Sequence, residues 1–258
     1  MRLIQQSPDC ADFDVIVDEA HGPAFRVLLP EMISADGRED LLDHGFLHTL
    51  PGRWTRSKRS CSGEIEVPGK LQLRIQIDLN ETDIRQQIGV RNITSQNLKN
   101  VVANFCTGVT HLPGAPPWSN RDFIPESVPL DRDLHGQYWY QHVAPRGVRF
   151  LTADGWKIIH PQPNDPDPAK RGKYDAREIE ELIGMGCAAS AVGGAFVFQC
   201  WNSPCHTLTP FSGNACMHLF AKVAKLLRPG EEAIVAGGTG VFHGDWQRLA
   251  EHMRSMAS

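Results

Sequence analysis

The stretch Leu71–Leu79, LQLRIQIDL, decides the fold class of this chain. Apolar side chains occupy its odd positions, and polar side chains occupy the even positions between them. An alternation of period two is the pattern of a half-buried β-strand. We therefore predict a strand here, with one face in a core and the other toward solvent.

The neighbouring sequence extends this strand into a larger sheet. Polar residues at 80–83 form a turn, and Ile84–Asn92 then repeats the alternating pattern. A third candidate strand, Val101–His111, follows the polar segment TSQNLKN. Short polar turns between alternating strands are typical of antiparallel neighbours, so we predict a β-meander.

The rest of the chain is mainly short strand patterns separated by Gly, Pro, Asn and Asp. We predict one domain over residues 1–258, a single large antiparallel β-sandwich of the supersandwich kind with a few short helices. Helices are expected near Asp175–Ile183 and at the C-terminus from Trp246, while Met217–Leu227 fits either a helix or a strand. The further predicted strands are Phe13–Val17, Phe25–Leu29, Gly147–Thr152, Trp156–His160, Ala195–Trp201 and Ala233–Gly237.

Two proline-rich stretches are predicted to be long loops. Pro113–Arg132 contains five prolines and His160–Lys173 contains four more, which a central strand cannot hold. Loops of this length either form the walls of a functional site or decorate the surface. The sequence leaves both alternatives open.

Composition excludes several classes of partner. The 258 residues carry a formal net charge of −4 and a pI near 6.2, so there is no basic surface for nucleic acid. No apolar run approaches the roughly 20 residues that span a bilayer. The first ten residues lack the apolar core of a signal peptide. We therefore expect a cytoplasmic protein that binds neither nucleic acid nor membranes.

Histidine and tryptophan are abundant, with 11 His and 6 Trp against 3 Tyr. Imidazole titrates near neutrality, and indole offers a flat surface on which ligands stack. Two histidines lie where a strand pattern gives way to a loop. His111 precedes the first proline-rich loop, and His206 follows the strand pattern in CWNSPCHTLTPFSG. A satisfied surface or core histidine is the alternative for each.

The segment Leu134–His142 concentrates aromatic side chains between two imidazoles. If it is a strand, Tyr138, Tyr140 and His142 share one face and Trp139 lies on the other. This arrangement suits a sugar-stacking wall beside proton-transfer groups. An aromatic core strand is the alternative.

Metal and disulfide patterns are weak. His44 and His48 would be neighbours on a helix, but nothing nearby supplies a third metal ligand. The seven cysteines form no CxxC motif. Cys200 and Cys205 could close a local disulfide, although reduced, buried thiols suit a chain without a secretory signal better.

Three motifs together resemble the galactose-mutarotase-like β-sandwich superfamily, which includes aldose epimerases. They are the strand end Val90–Thr94 followed by a strand to His111, the late loop CWNSPCHTLTPFSGN, and Leu226–Glu231, LLRPGE, before the closing strand. The resemblance covers Leu71–His111 and Ala195–Phe242. It implies a β-sandwich and an activity on carbohydrate.

The late loop departs from the superfamily pattern. An aldose epimerase uses a late carboxylate as the base opposite a histidine acid, whereas residues 200–216 contain no Asp or Glu and present His206 instead. Histidine-based proton abstraction, as in eliminases acting on sugars, suits this composition better, because imidazole works as an acid or base near neutral pH.

These observations lead to three hypotheses. The first is an enzyme, either an epimerase-like isomerase or a carbon–oxygen lyase, that uses histidine acid–base chemistry on a sugar or glycoside. The second is a non-catalytic carbohydrate-binding sandwich, and the third is a histidine-metal enzyme on a cupin-like barrel. No cofactor is predicted, and a divalent metal stays open. The predicted site residues are His111, His206, His142 and Tyr140 for proton transfer, Arg91 for orienting the substrate, and Trp118 and Trp139 for stacking.

Overall fold

A computed structural model describes residues 2–5, 12–18, 22–42, 52–109, 148–157, 181–188, 195–206 and 216–258. These residues form one antiparallel sheet of 15 strands and a C-terminal helix. The strands are β1 Arg2–Gln5, β2 Asp12–Asp18, β3 Gly22–Ala35, β4 Arg38–Leu42, β5 Gly52–Arg56, β6 Ser60–Val67, β7 Leu71–Leu79, β8 Asp83–Asn92, β9 Leu98–Val109, β10 Val148–Thr152, β11 Gly155–Lys157, β12 Leu182–Ala188, β13 Ala195–His206, β14 Cys216–Leu227 and β15 Glu232–His243.

The sheet runs in the order β1-β2-β3-β9-β14-β13-β15-β8-β7-β6-β5. Buried apolar residues from both ends of this order belong to one core, so the sheet curls and closes over itself. Phe13 of β2 and Trp54 of β5, for example, meet edge to face with their ring centroids 5.3 Å apart. The predicted mainly β, antiparallel sandwich fold is confirmed.

The hairpin that the opening alternation predicts is present. Strands β7 and β8 pair from Leu71 opposite Asn92 to Leu79 opposite Ile84. The odd positions of β7 from Leu71 to Ile77 are buried. The alternation of LQLRIQIDL therefore reports a strand with one face in the core.

The third strand of the predicted meander does not pair with β8. Strand β9 lies between β3 and β14, and the free edge of β8 is taken by β15. Asn92 turns the chain away: its side-chain amide donates to the carbonyls of Gln96 and Leu227, and its Oδ1 accepts from the Thr94 backbone N–H. The meander prediction is wrong here because that side chain redirects the backbone before β9 begins.

The C-terminal helix, α1 (Trp246–Ala257), is present as predicted. Asp245 caps it by accepting from the backbone N–H of Arg248 at 2.9 Å. Its apolar face packs on one face of β13 with buried side chains on both sides of the contact. The buried members of this second cluster are Leu151, Phe196, Phe198, Cys200, Leu249, Ala250, Met253 and Met256.

One helix expectation differs from the structure, because Leu182 and Ile183 begin strand β12. Met217–Leu227, for which the sequence left a helix and a strand open, lies in strand β14. Both segments acquire strand partners, β13 for the first and β9 for the second, and this tertiary pairing overrides the local spacing. The described residues contain no helix long and apolar enough to cross a membrane.

Both proline-rich loops lie outside the described residues, as do His44 and His48. Within the described residues, the thiols of Cys200 and Cys205 are buried and not joined by a disulfide. They lie on one strand, β13, and burial raises the pKa of the Cys200 thiol to about 12 and that of Cys205 still higher. Reduced thiols, the alternative favoured by the sequence, are what the structure shows.

Candidate functional site

Strands β9 and β14 carry polar side chains on the face that turns away from the main core. Val101, Ala103 and Phe105 point into the core, so Asn104 and Cys106 point to the opposite face. In the pairing register, His218 lies opposite Cys106 and Phe220 lies opposite Asn104. Directly opposed residues project to the same face of a sheet, so these four side chains form a patch, which we call the polar face.

Glu31 reaches the polar face from a bulge in β3. The register with β9 moves from Leu28 opposite Cys106 to Met32 opposite Asn104, so three residues of β3 stand against the single residue Phe105. A bulge breaks the regular alternation of a strand and re-aims the side chains within it. The Glu31 carboxylate can therefore lie beside Asn104, although Leu29 and Ile33 on the same strand face the core.

The Glu31 carboxylate joins three strands through one oxygen. Its Oε2 accepts a hydrogen bond from Asn104 Nδ2 at 3.0 Å and lies 3.1 Å from His218 Nε2. The Cys106 thiol completes a group in which the sulfur, imidazole nitrogen and carboxylate oxygen all lie within 4.8 Å of one another. Glu31, Asn104 and Cys106 are each more than 90% buried. Buried polar groups held this closely are fixed in position by the strands that carry them.

His206 lies on the same polar face, at the end of β13. It pairs in register with Phe220, and the two rings stack with centroids 5.2 Å apart and planes 20° from parallel. Because β14 carries His218 two residues before Phe220, His206 and His218 are diagonal neighbours, with Cα atoms about 7–8 Å apart.

The electrostatic environment of His206 favours the neutral imidazole. Partial burial, and then the positive charge of Lys222, lower its pKa below the ordinary value of 6.5. A neutral imidazole has one ring nitrogen that accepts a proton. His206 is therefore in the form that a general base requires near neutral pH.

Of the seven site residues predicted from the sequence, the structure describes His206 and Arg91. Arg91 is exposed on β8, where its Nε donates to the Gly230 carbonyl at 3.2 Å, and the structure does not bring it together with His206. The other five lie outside the described residues, and their roles stay predictions. These are His111, His142, Tyr140, Trp118 and Trp139.

Sequence reasoning missed the hydrogen-bonding residues Glu31, Asn104, Cys106 and His218. The alternation in VVANFCTGV places Asn104 and Cys106 opposite the apolar positions, a pattern that could have pointed to them. His218 was hidden because its segment fits a helix as well as a strand. Glu31 had no pattern to reveal it, since its orientation depends on a bulge that only the pairing with β9 defines.

The polar face rests on an aromatic layer in the core. The rings of Phe105 and Trp201 stack with centroids 3.7 Å apart and planes 21° from parallel. Gln199, itself buried, donates to the Phe105 carbonyl at 3.3 Å. These contacts fix β9 against β13 directly beneath Asn104 and Cys106.

A concave surface lies on the outer face of the other half of the sheet. It is a groove of about 500 Å³ with charged and amide side chains, among them Glu64, Gln76 and Gln87. Arg74 and Glu232 form an ion pair across it. The predicted site residues that the structure describes do not line this groove.

No protein-family model matches the chain, and no curated protein matches it. Solved structures do. A candidate aldose 1-epimerase from Escherichia coli K12 is 10% identical, with a TM-score of 0.45 over 86% of this chain and 85% of that one. A galactose mutarotase related enzyme from Lactobacillus acidophilus is 10% identical, with a TM-score of 0.40 over 87% and 84%.

A polysaccharide lyase is 9% identical, with a TM-score of 0.41 over 97% of this chain and 34% of its own. The first two of these structures are named for aldose epimerase and galactose mutarotase, which belong to the superfamily that the sequence motifs resemble.

Proposed function

We propose that this chain acts on a sugar or glycoside by histidine acid–base chemistry, with His206 as the proton-transfer group. The observation that carries the proposal is the position of His206 on the polar face, beside a fixed group of hydrogen-bonding side chains. Epimerisation and elimination both begin by moving a proton on a sugar carbon or oxygen. Both reactions suit a base that titrates near neutral pH.

The pKa of His206 supports this role. Burial and Lys222 lower that pKa, so the imidazole is neutral at the pH where most enzymes work. The stacked Phe220 ring fixes the orientation of the imidazole. A base that is already deprotonated and oriented needs little rearrangement before it accepts a proton.

The buried group around Glu31 supports the binding of a polyhydroxylated substrate. Carboxylate, amide and imidazole groups are the partners that sugar hydroxyls hydrogen bond. The second proton-transfer group is His111, assisted by Tyr140 or His142, and stacking is assigned to Trp118 and Trp139, as the sequence predicts.

The experiment uses three probes for the two reaction types. D-Glucose and D-galactose are followed by polarimetry and proton NMR exchange for isomerisation, and a uronic-acid polymer is followed by ultraviolet absorption for the double bond that elimination forms. His206→Gln is compared with the wild type and with His243→Gln, which changes an exposed imidazole at the end of β15. We expect the wild type to turn over one probe and His206→Gln to turn it over at least 100-fold more slowly. That factor is the low end of the contribution of a general base.

Three results would overturn the proposal. One is no turnover of any probe by the wild type, and another is equal turnover by His206→Gln and His243→Gln. The third is wild-type binding of a probe without turnover, which would assign the polar face to the carbohydrate-binding alternative. Circular dichroism of both variants, unchanged from the wild type, ensures that a lost activity reports chemistry.

A further inference from the structure

The side chains at the centre of the polar face are the kind that hold a transition metal. In the part of the chain that the structure describes, Glu31, Cys106 and His218 form the group in which three ligand atoms lie within 4.8 Å of one another. Each comes from a different strand of one sheet, β3, β9 and β14. The set is therefore built on rigid elements rather than on loops.

The ligand types select the ion. A thiolate, an imidazole and a carboxylate together suit Zn²⁺, which binds sulfur at about 2.3 Å and nitrogen or oxygen at about 2.0–2.2 Å. Tetrahedral geometry with these bond lengths separates ligand atoms by about 3.3–3.6 Å. The 3.1 Å between His218 Nε2 and Glu31 Oε2 is close to that range, so small rotations of the side chains would admit the ion.

Asn104 provides an independent observation at the same place. Its Nδ2 donates to Glu31, whereas its Oδ1 is buried and has no hydrogen-bond partner among the residues that the structure describes. The residue is 6% exposed, and an unsatisfied buried acceptor costs about 1–3 kcal/mol. A donor held at the fourth position of a metal ion, such as a bound water or a substrate hydroxyl, would satisfy this oxygen.

We propose that Cys106, His218 and Glu31 bind one Zn²⁺ ion whose fourth position faces Asn104 Oδ1. Three protein ligands and an open position are the arrangement of catalytic rather than structural zinc sites. Asn104 acts as a positioning residue, because it orients the Glu31 carboxylate through Nδ2. The zinc site would lie on the same polar face as His206. It rests on the proposed function and extends it, because the ion would hold a substrate oxygen near His206.

This site differs from the metal site considered from the sequence. That hypothesis needed three histidines on one ion, whereas here a single histidine is joined by a thiol and a carboxylate. The other described histidines have other surroundings. His206 stacks on Phe220, His252 Nε2 lies 3.3 Å from Asp83 Oδ2, and His243 is exposed at the end of β15.

Cobalt absorption tests the site on the full chain without any assay of turnover. The protein is dialysed against EDTA and titrated with Co²⁺, which reports a thiolate ligand through a sulfur-to-metal charge-transfer band. We expect the band to saturate at one ion per chain and to disappear on addition of Zn²⁺. The wild-type spectrum tests the proposal even if a variant fails to fold.

Variants then assign the ligands. Cys106→Ser should remove the charge-transfer band, and Cys61→Ser should retain it, because Cys61 is equally buried at 4% exposure but lies on β6. His218→Gln and Glu31→Gln should each lower zinc affinity by at least 10-fold. Asn104→Ala should lower it by about 10- to 100-fold, as loss of a ligand-orienting partner does.

Failure of this inference is separate from failure of the proposed function. Absence of a saturable band, or its retention in Cys106→Ser, would overturn the zinc site while leaving His206 to its own test. One zinc per chain in a protein that turns over no sugar would uphold the site and overturn the activity.

Discussion

His218 Nε2 lies 3.1 Å from Glu31 Oε2, and this contact links β14 to β3 across the intervening strand β9. Asn104 on β9 donates to the same carboxylate oxygen. One buried carboxylate on β3 therefore contacts side chains of β9 and β14, on the face that turns away from the core.

Removal of this carboxylate should destabilise the metal-free protein. Glu31→Leu leaves the Asn104 amide without its acceptor, and an unsatisfied buried donor costs about 1–3 kcal/mol. We expect the free energy of unfolding, measured in urea, to fall by at least about 1 kcal/mol. A double-mutant cycle with His218→Gln should show a coupling of at least about 0.5 kcal/mol, whereas additive effects would mean that the two side chains act independently.

The pKa of His206 should respond to Lys222. Lys222→Gln removes the smaller of the two causes that lower this pKa, so NMR titration should show the pKa rising part of the way toward 6.5 while burial still holds it below. Lys225→Gln, on the same strand and also exposed, is the matched control and should leave it unchanged. An equal shift in both variants would contradict the assignment of Lys222.

The same pKa predicts how stability depends on pH. The imidazole has a lower pKa in the folded protein than the ordinary 6.5 of the unfolded chain, so below pH 6.5 the unfolded state binds more protons. The contribution of His206 to stability should therefore fall as pH drops from 6.5 through the folded pKa. His206→Gln should lose this part of the pH dependence, and His243→Gln should keep it, when unfolding is followed from pH 7 to pH 5.

The aromatic layer beneath the polar face should dominate its stability. Phe105 is fully buried against Trp201, and truncation of a buried aromatic side chain costs about 3–5 kcal/mol. Phe105→Ala should lower the free energy of unfolding by this amount, and Phe105→Leu by less because it leaves a smaller cavity. Similar losses in the two variants would argue against cavity formation as the cause.

The turn before β15 should depend on Gly230. Its φ of +79° lies in the left-handed region, and a Cβ added there would meet no other atom within 4 Å. Gly230→Ala should therefore cost about 1–2 kcal/mol through backbone strain alone, and Gly230→Asn less, because Asn adopts this conformation more readily. Thermal unfolding of the two variants distinguishes the two causes. Backbone strain makes Gly230→Ala the less stable variant, whereas a steric clash would make Gly230→Asn the less stable one.

The fold class could be predicted because local alternation records which face of a strand is buried. Leu71–Leu79 needs no distant information: its own side chains show the period, and the hairpin with β8 follows from a short polar turn. The position of β9 could not be predicted in this way. The side chain of Asn92 and the competing edge of β15 decide it, and β15 lies about 140 residues further along the chain.

Of the candidate site, only the position of His206 could be read from local sequence. His206 follows a strong strand pattern and precedes a loop, both visible locally. Glu31 and His218 become neighbours only through a bulge and two strand pairings, which no local pattern encodes.

The contacts of Glu31 with Asn104 and His218, which join β3, β9 and β14, have a consequence for the order of folding. Glu31 and Asn104 are 73 residues apart in the sequence, and His218 follows more than 100 residues after Asn104. Contacts of such long range form late, because the intervening chain must lose its freedom before they are made. Any ligand that needs all three side chains binds only the completed native state, so its binding would shift the folding equilibrium as a whole and would serve as a readout of finished folding.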